Sequence, residues 1–143
     1  MLNQEELQII TDAIQEAEKM TSGEIRVCVA RSCKGNPLES AIRKFEKLEM
    51  HKTEQRNGVL IYVAPDDKKV AIYGDSGIND NTNSDFWDTV VAEMLDNFSQ
   101  GMIVDGLKHA VGRVGGLIKN LYHIQEGDKN ELCNDVICDV EEE

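Results

Sequence analysis

The feature that most constrains the fold is Val59-Leu60-Ile61-Tyr62-Val63-Ala64, an unbroken apolar run rich in β-branched and aromatic residues. A strand wetted on one face alternates apolar with polar residues, so a continuous run of this length reads as a strand covered on both faces in the middle of a sheet. Pro65, Asp66 and Asp67 supply turn chemistry, and Val70 to Tyr73 reads as a second strand returning antiparallel to the first. It runs into Gly74-Asp75-Ser76-Gly77-Ile78-Asn79-Asp80, a polar loop with two glycines and two carboxylates. Loops carried by rigid strands are where function concentrates.

The flanking segments are periodic. Asn3 and Glu6 form a capping pair, and Leu7, Ile10, Ile14 and Ala17 recur at helical spacing, which predicts a helix over 4–20. Thr21-Ser22-Gly23 ends it. Residues 24–31 alternate as a strand, with Ile25, Val27 and Val29 on one face and Arg26, Cys28 and Ala30 on the other. Pro37 opens a second helix with an apolar stripe of Leu38, Ala41, Ile42, Phe45 and Leu48 and an outer face of Arg43, Lys44, Glu46 and Lys47. The strand at 24–31, this helix and the strand at 59–64 form a crossover unit, which requires the two strands to be parallel. A third helix, capped by Ser84 or Asp85, carries Phe86, Val90, Val91, Met94 and Phe98 and closes at Ser99-Gln100-Gly101. A fourth runs from about Val104 to Tyr122, with Gly112, Gly115 and Gly116 expected where its backbone packs against the sheet. The predicted fold is α/β, a three-layer α/β/α sandwich around a small mixed sheet of about four strands with four main helices. It forms one domain over residues 1–125. The acidic segment 126–143 is expected to give a short edge strand or helical turn from Leu132, Val136, Ile137 and Val140, then a solvated tail.

The formal net charge of -12 disfavours nucleic acid and anionic membrane surfaces, and it suits a cationic partner or a divalent metal. No apolar run approaches the roughly 20 residues of a membrane span, and the first residues lack the pattern of a secretory signal. The expectation is a cytoplasmic monomer without membrane insertion. Cys28, Cys33, Cys133 and Cys138 form two C-x4-C pairs. A structural zinc site is one reading; reduced, partly buried thiols are preferred, because Cys28 falls inside a strand.

Topology gathers residues that are distant in sequence. Parallel strands begin on one rim, and the antiparallel third strand ends there, so Glu24, the 51–57 loop and residues 75–85 share that rim. Glu24, Asp75, Asp80 and Asp85 are hard oxygen donors of the kind Ca2+ and Mg2+ take. The loop is not an EF-hand, since neither Asp75 nor Asp80 is followed by glycine and glutamate at the required positions. An ordinary polar turn with a helix cap accounts for the same residues equally well. On the opposite rim Lys34-Gly35-Asn36 precedes a helix and offers a weak phosphate-site reading. There is no nucleophile elbow, P-loop or dinucleotide fingerprint. His51 is the one acid/base candidate on the acidic rim, where a solvated side chain is the ordinary role.

Ser22-Gly23-Glu24-Ile25, Thr53 to Val59, the run to Ala64, the Gly74 to Asp80 loop, Phe86-Trp87, Phe98-Ser99-Gln100-Gly101 and Gly106-Leu107 together resemble the TPM domain. This is the family of the thylakoid lumen phosphatase, a photosystem repair protein and a receptor modulator. The likeness spans residues 4 to about 122, with Lys129-Asn130-Glu131-Leu132 beyond. It implies an α/β/α sandwich, a divalent metal in an acidic cleft and, as in plant members, acid phosphatase activity. By position the cleft residues are Asp75 and Asp80, with Glu24 and Asn57 nearby; Asp85 is added from topology alone. Gly74-Asp75-Ser76-Gly77-Ile78 stands where the family has G-Y-G-L-E, and the signal peptide and membrane anchor of many members have no counterpart here. The sequence therefore predicts a domain binding Ca2+ or Mg2+ that presents its loop to a protein partner, with a metal-assisted acid phosphatase as the alternative.

Overall fold

The computed structural model describes residues 2–19, 21–122 and 137–139. Helix α1 (Gln4–Glu18) starts at a reciprocal capping box in which Asn3 Oδ1 accepts from Glu6 N at 2.8 Å and Glu6 Oε1 accepts from Asn3 N at 2.9 Å. Strand β1 (Glu24–Ala30) leads to helix α2 (Pro37–Lys47), strand β2 (Gly58–Ala64), a 3-10 turn (Pro65–Asp67) and strand β3 (Lys69–Gly74). Lys68 takes the left-handed conformation (φ 54°) that lets this turn reverse the chain. A one-turn helix α3 (Ser76–Asn79), helices α4 (Ser84–Ser99) and α5 (Ile103–Leu121) and strand β4 (Ile137–Asp139) follow.

The sheet order is β3-β2-β1-β4, with β2 parallel to β1, β3 antiparallel to β2, and β4 parallel to β1 at its far edge. All seven residues of β2 are buried, as its sequence requires of a strand covered on both faces. The layers are unequal. Ile25, Val27, Val29, Val59, Ile61 and Val63 meet α1, α4 and α5 on one face, while Cys28, Leu60 and Tyr62 meet α2 on the other.

Several local expectations change. The 74–80 stretch is not an open loop, because Asp75 caps a helical turn. Asn83, rather than Ser84 or Asp85, caps α4, its Oδ1 accepting from Asp85 N at 2.6 Å. Helix α2 is rotated from its predicted stripe: Ser40, Ala41, Lys44 and Phe45 point inward, and Leu38 is 45% exposed. Alone on its face, α2 needs to cover only a narrow strip of sheet, and Leu38 and Ile42 tip instead toward the open edge of β3. Of the three glycines expected to pack closely, only Gly115 has a close neighbour, and that neighbour is α1: a Cβ there would lie 2.8 Å from Ala17 Cβ. Nothing lies within 4 Å of the Cβ positions of Gly112 and Gly116. Among the expected tail contacts, Ile137 lies in β4, whereas Leu132, Val136, Val140 and the 129–131 segment fall outside the described residues.

Candidate functional site on the strand-entry rim

Chain direction places the acidic residues as the topology requires. Glu24 opens β1 in register with Gly58, Asp75 N donates to Gly58 O at 2.9 Å, and Glu24 N donates to Asn57 O at 3.3 Å. Glu24, Asn57 and Asp75 thus flank the entry of β2, each about 1% exposed. Asp80 and Asp85 are exposed, at the end of α3 and in the first turn of α4. The five residues therefore form two buried groups and an outer pair. Among the described residues, no three Asp, Glu, His or Cys side chains converge as a metal cluster.

The first group is Asp75 with Arg56. Arg56 Nε lies 2.7 Å from Asp75 Oδ2 and Nη2 lies 2.8 Å from Oδ1, a bidentate pair of the strongest geometry. Asp75 Oδ1 also accepts from Ser76 N at 2.8 Å, so this carboxylate is already occupied by a cation and a helix N-terminus. The Arg56 guanidinium is held above its usual range by the Asp75 hydrogen bonds and charge. Arg56 adopts a left-handed backbone (φ 51°) and its side chain stays half exposed. Beside it opens a cavity of about 360 Å³ lined by Phe45, Glu46, His51, Arg56, Tyr73 and Asp75. His51 Nδ1 is buried without a hydrogen-bond partner among the described residues.

The second group is Glu24, Asn57 and Glu18. Glu18, 4% exposed, ends α1 and accepts from Ile25 N through Oε2 at 2.7 Å while hydrogen bonding to Glu24. Burial raises the Glu18 carboxyl to about 8, with the charge of Glu24 and the bond to it adding to the rise; the Ile25 N–H and, more weakly, Arg26 oppose it. At neutral pH Glu18 therefore holds its proton. Glu18 Oε1 and Asn57 Oδ1 are both buried and accept no hydrogen bond among the described residues. Asn57 Nδ2 donates to Gln55 Oε1 at 3.2 Å and Ser22 Oγ donates to the same oxygen at 3.0 Å, tying the 21–23 and 53–57 loops together.

The end of α5 clamps this rim. Thr21 Oγ1 donates to Tyr122 O and itself accepts from Gly23 N at 3.1 Å, while Tyr122 Oη donates to Gly77 O at 2.9 Å.

Sequence reasoning missed Glu18 and Arg56. Glu18 did carry a signal: it continues the 10, 14, 18 spacing of the buried stripe of α1, where a carboxylate is out of place. Arg56 carried none beyond its loop.

Over residues 1–117 the chain matches the TPM domain. It belongs to the TPM domain family. The fold is similar to the NMR structure of the BA42 protein from the psychrophilic bacterium Bizionia argentinensis, with a TM-score of 0.88 and 40% identity over 96% of this chain and 95% of that one. It is also similar to the N-terminal domain of cg2496 from Corynebacterium glutamicum, with a TM-score of 0.64 and 15% identity over 82% of this chain and 74% of that one, a likeness of fold. No curated protein matches the chain.

On the other rim, Asn36 Oδ1 accepts from Leu38 N and Glu39 N at 2.8 and 3.1 Å. This TPM domain thus uses the amides that a phosphate at Lys34-Gly35-Asn36 would need. Cys28 and Cys33 are buried and in no disulfide among the described residues; Cys133 falls outside the described residues, as do the side-chain contacts of Cys138. No helix among the described residues is long and apolar enough to cross a membrane.

Proposed function

We propose that this TPM domain binds a divalent cation, Ca2+ or Mg2+, at the strand-entry rim and works as a regulatory or protein-interaction module. The carrying observation is the buried Asn57 Oδ1, which accepts no hydrogen bond among the described residues, on the rim that also holds the buried Glu18 and Glu24 carboxyls. A hard cation satisfies an acceptor-only amide oxygen such as Asn57 Oδ1 and displaces the proton that Glu18 holds. In this reading Glu24, Asn57 and Glu18 are the inner ligands. Asp75 could join only by releasing Arg56, and the exposed Asp80 and Asp85 draw the ion toward the rim.

The test is an amide NMR titration with Ca2+ and with Mg2+ at pH 7. Shifts should begin at residues 18, 24, 25 and 57, a proton should be released on binding, and Glu18→Gln should weaken affinity about tenfold or more. Shifts confined to Asp80, Asp85 and the acidic 126–143 segment, insensitive to Glu18→Gln, reject the reading.

One observation favours the second reading, a metal-assisted acid phosphatase: Arg56 and His51 line the cavity beside Asp75. The half-exposed guanidinium suits a phosphate oxygen, and His51 could protonate a leaving alkoxide. When bound, a divalent cation supplies charge that orients a phosphate and acidifies an attacking water. Turnover of a generic phosphomonoester should then fall by roughly two orders of magnitude in His51→Gln, the scale of a lost general acid. Equal rates for the wild-type chain and a metal-only blank dismiss the enzyme.

A further inference from the structure

We propose that the open edge of β3 is a docking strip for an extended, basic segment of a partner protein, which adds to the sheet as a further strand. β3 ends the sheet order, and no described strand pairs with its outer side. Because Asp75 N–H bonds to Gly58 O, antiparallel alternation makes Tyr73, Ala71 and Lys69 the residues that bond to β2. Val70, Ile72 and Gly74 therefore turn their N–H and C=O groups outward, away from β2. This spacing of two residues is the ladder an added strand needs.

The strip is a groove rather than a bare edge. Leu38 and Ile42 of α2 wall one side, Trp87 and Val91 of α4 wall the other, and β3 is the floor of a cavity of about 360 Å³. Alternate side chains of a docked strand would thus find apolar cover on both faces. The usual protections of an edge strand are lacking over 70–74, where there is no proline, lysine or glutamate. Lys69, which could have guarded it, directs Nζ to Cys33 O and Gly35 O, each at 2.9 Å. Trp87 Nε1 is buried without an acceptor among the described residues.

Charge selects the occupant. Among the described residues, Asp88 is the one Asp, Glu, Lys, Arg or His side chain lining the groove; it is exposed and in no described ion pair, and the whole chain carries -12. A second copy would bring like charge against like at this edge, whereas a basic segment is attracted to it.

The probe is a short capped peptide alternating valine with threonine and ending in two lysines, added to the full chain. Amide hydrogen exchange should slow about tenfold or more at Val70, Ile72 and Gly74, the signature of newly bonded groups. Binding should weaken several-fold in Asp88→Lys and in Leu38→Lys, both at exposed positions that leave the fold intact. A peptide with its lysines replaced by glutamates should bind more weakly. Unchanged exchange at these three amides with millimolar peptide overturns the proposal. So does equal binding by the glutamate peptide, or concentration-dependent dimerisation that protects the same amides without peptide.

Discussion

Glu18→Gln is expected to make the domain more stable above pH 8 by about 2 kcal/mol and to leave it nearly unchanged at pH 4.5, with a ceiling of about 5 kcal/mol if the whole shift were recovered. The folded carboxyl titrates near 8, against 4.5 for an ordinary glutamate. Between those values the native state holds a proton that the unfolded chain has released. Stability therefore falls as pH rises from about 4.5 to 8, and the penalty is complete above 8. Glutamine imitates the protonated acid, since its carbonyl can accept from Ile25 N while its amide donates to Glu24, so the variant bypasses that penalty. The groups that face Glu18 are Glu24, Arg26 and the Ile25 amide. Glu24 remains in the variant as the acceptor for that amide. Urea midpoints across pH 4.5 to 9 decide the matter: the variant's curve should be flatter, and parallel curves would show that the folded chain does not hold the Glu18 proton.

This buried pair also explains why part of the rim was legible and part was not. The β2 run announces a central strand, and the crossover rule then sends Glu24, Asn57 and Asp75 to one rim without any side-chain information. What each carboxylate touches is set by neighbours that sequence spacing does not reveal. Asp75 meets Arg56 because a left-handed residue turns the guanidinium back over α3. Glu18 meets Glu24 because α1 ends above the first residue of β1. The rotation of α2 was illegible for a related reason. A hydrophobic stripe fixes which residues prefer cover but not how wide a sheet lies beneath, and here the unused part of the stripe, Leu38 and Ile42, walls an open edge.

Gly77→Ala is expected to destabilise the fold by about 3 kcal/mol, at the upper end of what overpacking costs. Gly77 has no left-handed backbone to maintain, so its role is space. An added Cβ would lie 2.6 Å from Tyr122 Oη and 2.7 Å from Arg56 O, and would also strike Gln55 O. A side-chain hydroxyl can swing aside, but the two carbonyls cannot. Arg56 O accepts from Gly77 N at 2.8 Å, and Arg56 N donates to Thr53 O at 3.3 Å, which pins the loop before β2 in place. Relief therefore requires α3 to lift away, and Asp75, which caps α3, must then leave Arg56. Two variants separate this account from general fragility. Adding Tyr122→Phe to Gly77→Ala should restore little stability, since both carbonyls remain. Gly112→Ala, where nothing stands within 4 Å, should instead stabilise by up to about 1 kcal/mol, the helix preference for alanine over glycine. Chemical unfolding of the three variants reads the result, and a Gly77→Ala domain as stable as the wild type would mean that the loop and α3 are not in the contact described.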